Sequence, residues 1–111
     1  MKTTDRPVCI FLGNKEKIRT VYNSDITDAL VKSAEIDADK VFTREDVIAA
    51  PEVFSETKYI FSTWGMPAFS REEISLCFPK LSAVFYAAGS VRSFAAPFLE
   101  SGVKVFSAWA A

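Results

Sequence analysis

The chain has 111 residues, half of them hydrophobic and ten of them Phe, enough for one domain with a real core and too apolar for a disordered segment. Thirteen basic against fourteen acidic side chains leave a net charge of −1, which calls for neither nucleic acid nor an anionic membrane as partner. With no histidine, Ser-His and Cys-His nucleophile pairs and the usual zinc sites are excluded, and no apolar run has the form of a signal peptide or membrane span.

The first element is Val8-Cys9-Ile10-Phe11-Leu12, a continuous apolar run closed by Gly13 and expected as a strand buried on both faces. Residues 14–20 (NKEKIRT) are polar and read as a loop. A helix is expected over about 24–34, capped by Asn23 or Ser24, with Tyr22, Ile26, Ala29 and Leu30 on one face. Lys40-Val41-Phe42 forms a short second strand. Thr43 and Asp46 resemble a capping box with Asp in the closing place; it opens a short helix with Val47 and Ile48 inward, ended by Pro51. Residues 58–62 are the third strand. Ser70 and Glu73 form a capping box of the usual type, for a helix carrying Ile74, Leu76 and Cys77 and stopped at Phe78-Pro79. Residues 81–87 (LSAVFYA) are the fourth strand, broken by Gly89. A helix over about 91–101 turns Phe94, Phe98 and Leu99 to the core, with a kink at Pro97 and Gly102 just past its end. Residues 103–106 are the fifth strand. Cys9 and Cys77 sit inside apolar runs, form no CxxC, and read as buried free thiols of a cytoplasmic protein.

Short apolar strands alternating with helices predict an α/β fold: a flavodoxin-like or Rossmann-like three-layer domain with a five-stranded parallel sheet. There is no internal domain boundary. The chain stops at Ala108-Trp109-Ala110-Ala111, straight after a strand, which reads as the truncation of a longer protein or as a short tail that packs back.

In open α/β sheets, ligands bind outside the carboxyl ends of the strands. Those ends are Gly13-Asn14, Thr43, Ser62 to Met66 and Ala87 to Ser90. Gly13 alone cannot make a dinucleotide fingerprint, and the Gly-Lys-Ser/Thr of a phosphate loop is absent. The segment NKEKI lacks the hydroxyls and glycines of a flavin phosphate loop. A phospho-accepting Asp is missing after the third strand, where Ser62 and Thr63 stand. What remains is Ala88-Gly89-Ser90. It reads as a nest of N–H groups at a helix start, with Gly89 able to take positive φ and a carboxylate as the fitting ligand, or as a plain turn. Lys15, Lys17 and Arg19 are a solvated loop or a small anion cluster. Trp64 and Met66 are packing residues or ligand contacts.

The stretches Ile60-Phe61-Ser62-Thr63-Trp64-Gly65-Met66-Pro67 and Phe78-Pro79-Lys80-Leu81 resemble the D-isomer-specific 2-hydroxyacid dehydrogenase family. So do Ala83 to Arg92 and Phe98 to Ala111, in a divergent branch related to phosphoglycerate dehydrogenase-like proteins. The resemblance implies a partial substrate-binding domain over residues 1–111. Its parent would be an NAD- or NADP-dependent oxidoreductase acting on the CH–OH group of a 2-hydroxy acid, or reducing a 2-keto acid, and the cofactor domain would be absent from this chain. It implies a substrate carboxylate held by Ala88, Gly89 and Ser90, with Trp64, Gly65 and Met66 bordering the cleft. The family's catalytic Arg, Glu and His have no counterpart here, so no catalytic, cofactor-binding or metal residue is assigned. Where many members carry Gly-x-Gly-x-Asp, this chain has Ala-Ala-Gly-Ser-Val-Arg-Ser, with Arg92 and Ser93 nearby and no Asp. The alternative is a standalone carboxylate-binding or protein-interaction module without catalysis. Either reading expects a homo-oligomer, a dimer in the first instance, and no NADH binding by this chain alone.

Overall fold

The computed structural model describes residues 6–89 and 91–107. Five strands form one parallel sheet: β1 (Val8–Leu12), β2 (Val41–Phe42), β3 (Thr57–Ser62), β4 (Ala83–Tyr86) and β5 (Lys104–Ser107), in the order β2-β1-β3-β4-β5. This is the flavodoxin-like order, which steps one way from β1 and the other way from β3. The helices are α1 (Lys15–Val21), α2 (Ser24–Ser33), α3 (Arg44–Ala49), α4 (Arg71–Cys77) and α5 (Ala95–Glu100), with a 3₁₀ turn over Pro51–Phe54. The expected α/β architecture is present.

Strand alternation divides the core. Ile10, Leu12, Ile60, Val84 and Tyr86 face Val47, Phe54, Ile74, Cys77, Phe94 and Phe98 from α3, the 3₁₀ turn, α4 and the α5 segment. Phe11 faces the other way, onto Ile18 and Tyr22, with Phe61 partly buried beside them. The register puts Phe11, Phe61, Phe85 and Phe106 in one row across β1, β3, β4 and β5. Phe61, Phe85 and Phe106 stack, with ring centroids 5.3 and 5.2 Å apart and planes within 17°. No helix among the described residues buries the end of this row: Phe106 is 48% exposed.

Both capping boxes form as expected, Thr43 with Asp46 and Ser70 with Glu73. Several expectations need correction. The segment read as a loop at 14–20 is α1, started by the Asn14 side chain, which accepts from the Lys17 N–H. Glu16 in its first turn and Arg19 in its last suit the helix dipole, and Ile18 is its one buried anchor. Ile18 and Val21 alone, three residues apart at the end of a polar stretch, are too few to set a helical period in the sequence. In α2, capped by Asn23, no residue is fully buried, and Ile26 points to solvent. Ile48 and Leu99 are also exposed, because Val47 and Phe98 take the inward positions of helices only six residues long. The last helix starts at Ala95, four residues later than expected, after a turn in which the Phe94 and Ala95 N–H groups donate to the Val91 carbonyl. Pro97 therefore lies in the first turn, where its missing N–H leaves no bond unmade, and there is no kink. The tail Ala108 to Ala111, with Trp109, lies outside the described residues.

Candidate functional site

At its carboxyl edge a parallel sheet runs out of ladder partners, and strand-end carbonyls need other donors. Here hydroxyl side chains supply them between each neighbouring pair of strands from β1 to β5. Ser62, buried at the end of β3, donates to the Leu12 carbonyl of β1. Thr63, also buried, donates across to the Ala87 carbonyl after β4 at 3.0 Å. Ser107 of β5 reaches back to the Ala88 and Gly89 carbonyls, each at 2.8 Å. Tyr22 adds a brace from above, its hydroxyl 2.8 Å from the Ser62 carbonyl and 3.2 Å from that of Phe85. Burial pushes the Tyr22 phenol far up, so it remains a donor.

Two glycines bring the loops after β1 and β3 together. Gly13 and Gly65 have φ of +137° and +93°, which side-chain-bearing residues rarely adopt. A Cβ on Gly65 would stand 3.1 Å from the Asn14 Cβ, and one on Gly13 would stand 3.2 Å from the Ser62 Oγ. Beside this contact, Gly13, Asn14, Thr43, Arg44, Glu45, Gly65, Pro67 and Ala68 line an open cavity of about 560 Å³ at the topological switch between β1 and β3. Arg44 fixes its wall: it donates to both Glu73 carboxylate oxygens at 2.9 and 2.6 Å and to the Ala68 carbonyl, and lies over the Phe69 ring.

Of the site residues expected from sequence, Ala88 and Met66 come together, both buried in the core against α4 and α5. Met66 is thus a packing residue. Trp64 is 57% exposed and turns to the opposite face, where it closes a cavity of about 260 Å³ with Glu16, Lys17, Thr20 and Val21 of α1. Lys15, Lys17 and Arg19 sit on α1, and Arg19 donates to the Asp39 carbonyl. Gly65 lies between the β1 loop and the switch-point cavity. Ser90 lies outside the described residues. Gly89 does not take positive φ, and α5 begins too far along to add a helix terminus to the turn. What Gly89 offers instead is room among the described residues: apart from its chain neighbours, none of them lies within 4 Å of where a Cβ would be.

Both cysteines are free and buried; burial pushes the Cys9 thiol up to about 11 and raises Cys77 as well, so neither is a ready nucleophile. No group of three or more potential metal ligands occurs among the described residues. None of their helices is long and apolar enough to cross a membrane. Gly13 is the one glycine of the turn after β1, so the turn lacks the glycine fingerprint of a dinucleotide site, and a Cβ on Gly13 would stand 3.5 Å from the Gly65 carbonyl oxygen. Sequence reading missed Arg44, Thr63 and Ser107 as shapers of this edge. Their partners are at least 18 residues away in the chain, and no local pattern marks such pairs.

No family model matches the chain, and no curated protein matches it by sequence. In fold it is similar to the crystal structure of a glyoxylate reductase from Paecilomyes thermophila, with a TM-score of 0.68 over 94% of this chain at 14% identity. The chain spans 32% of the length of that protein. What the likeness establishes is the fold, a five-stranded parallel α/β domain of the kind found within a glyoxylate reductase.

Proposed function

We propose that this chain is the substrate-binding portion of an oxidoreductase that acts on the CH–OH group of a 2-hydroxy acid or reduces the corresponding 2-keto acid. The observation that carries the reading is the turn at Ala88-Gly89. It lies at the carboxyl edge of the sheet, its carbonyls are drawn off by Ser107 and that of the preceding Ala87 by Thr63, and no described residue beyond its chain neighbours approaches the Gly89 Cβ position. A trans peptide points its N–H opposite its C=O, and no peptide among the described residues is cis. The Gly89 N–H is therefore aimed away from Ser107, available to a carboxylate. In this reading Ala88, Gly89 and Ser90 hold the acid by backbone, Gly65 borders the approach and Met66 supports it from the core, while Trp64 stands apart on the α1 face. NAD or NADP would be bound by residues outside this chain, in line with the missing glycine fingerprint after β1. The likeness to a glyoxylate reductase supports the class of acid.

The test is direct because Gly89→Ala adds a Cβ that meets no described residue beyond its chain neighbours, at an ordinary φ, and should leave the fold intact. The same methyl would stand in the ligand's path. Calorimetric titration with glyoxylate should show binding by the wild-type chain and a loss of about tenfold or more in Gly89→Ala. Equal affinity for the two proteins would sink the assignment of the turn.

The exposed end of the phenyl row favours a companion reading, in which two copies of the chain associate. β5 is an edge strand, and an apolar stripe that reaches an open edge invites pairing.

A further inference from the structure

We infer that Ser107 is a positioning residue that sets the direction of the Gly89 amide, an inference that rests on the site reading above. The two peptide planes flanking a residue define its φ and ψ. For Gly89 those planes carry the Ala88 and Gly89 carbonyls, and the Ser107 hydroxyl lies 2.8 Å from both. One hydroxyl proton shared between them ties both planes to β5. The preceding plane is tied from the other side, where the buried Thr63 hydroxyl donates to the Ala87 carbonyl at 3.0 Å.

Glycine is where such a tie is needed. It has the widest conformational freedom of any residue, and among the described residues none beyond its chain neighbours packs within 4 Å of the Gly89 Cβ position to limit it. A site built from backbone N–H groups works only if they are held in place before the ligand arrives. Ser107 supplies from the neighbouring strand the restraint that a side chain at position 89 would otherwise give. It touches no part of the proposed ligand path itself, because the N–H it orients points away from it.

Two readouts test this with the whole chain. Backbone ¹⁵N relaxation reports the order of the Gly89 amide without any ligand. Ser107→Ala should lower the heteronuclear NOE at Gly89 and weaken glyoxylate binding by about tenfold, with the thermal midpoint little changed. Ser107→Thr keeps the hydroxyl and should stay within about twofold of wild type. A Gly89 amide as ordered in Ser107→Ala as in wild type overturns the inference. So does unchanged glyoxylate affinity in Ser107→Ala when Gly89→Ala has lost it, and in that case the site reading survives. If Gly89→Ala binds like wild type the site reading fails alone, and the relaxation result still decides whether Ser107 orders the turn.

Discussion

Glu73 shows how much one side chain can organise at this edge. Its carboxylate closes the capping box of α4 and also takes both guanidinium bonds of Arg44, which in turn holds the Ala68 carbonyl. The Arg44 hydrogen bond, with help from the Ser70 N–H, pulls its pKa from 4.5 down to about 2. A carboxyl that is more acidic folded than unfolded stabilises the fold fully above its unfolded value and loses that contribution as pH falls toward its folded value. Glu73→Gln should therefore lower the thermal midpoint at neutral pH by about 3–5 °C, solvent screening having trimmed the pair because it is partly exposed. The gap between wild type and variant should close as pH drops from 4.5 toward 2. A gap that stays constant over that range in thermal melts would show that the ion pair is not its source. Both capping boxes were legible in the sequence because a cap is local: its partners are three residues apart. The Arg44, Thr63 and Ser107 contacts were not, because each joins residues at least 18 apart in the chain and such a separation carries no period.

Elements were legible in proportion to their apolar content. β1 and β4 are continuous apolar runs and β3 carries the apolar centre Tyr59-Ile60-Phe61; all three lie where expected, with ends shifted by at most two residues. The first helix failed that test with Ile18 as its one buried residue, and only its Asn14 cap could have announced it. Proline misled in the opposite direction. Pro97 suggested a kink in a longer helix, yet a shorter helix places it where no N–H is required. β5 was expected as an uncovered strand, and its exposed face supports a specific outcome. Light scattering behind size exclusion should give about twice the chain mass for wild type at high concentration, and the single mass for Phe106→Ser. A wild-type chain that stays monomeric would mean that the stacked row of Phe61, Phe85 and Phe106 needs no partner.

At the scale of the molecule, the strand order follows from the alternation of elements and the handedness of crossovers, which is why the fold class was readable from 111 residues. The site was readable only as a place. Fold rules pointed to the carboxyl edge, and the glycine after β4 marked a turn. The positive-φ nest on a helix start expected there is absent from the described residues: Gly89 lacks positive φ, and the Thr63 and Ser107 hydroxyls bond the Ala87, Ala88 and Gly89 carbonyls. The turns after β1 and β4 also differ: Gly13 packs against the Gly65 loop, whereas no described residue beyond its chain neighbours comes within 4 Å of the Gly89 Cβ position. The measurement to make is an amide-resolved NMR titration of the ¹⁵N-labelled chain, once with glyoxylate and once with NADH. Saturable shifts centred on Ala88 and Gly89 with glyoxylate, and none with NADH, are expected. Glyoxylate shifts that miss this turn, or saturable binding of NADH at Gly13, would contradict the assignment of this chain as the acid-holding side of the site.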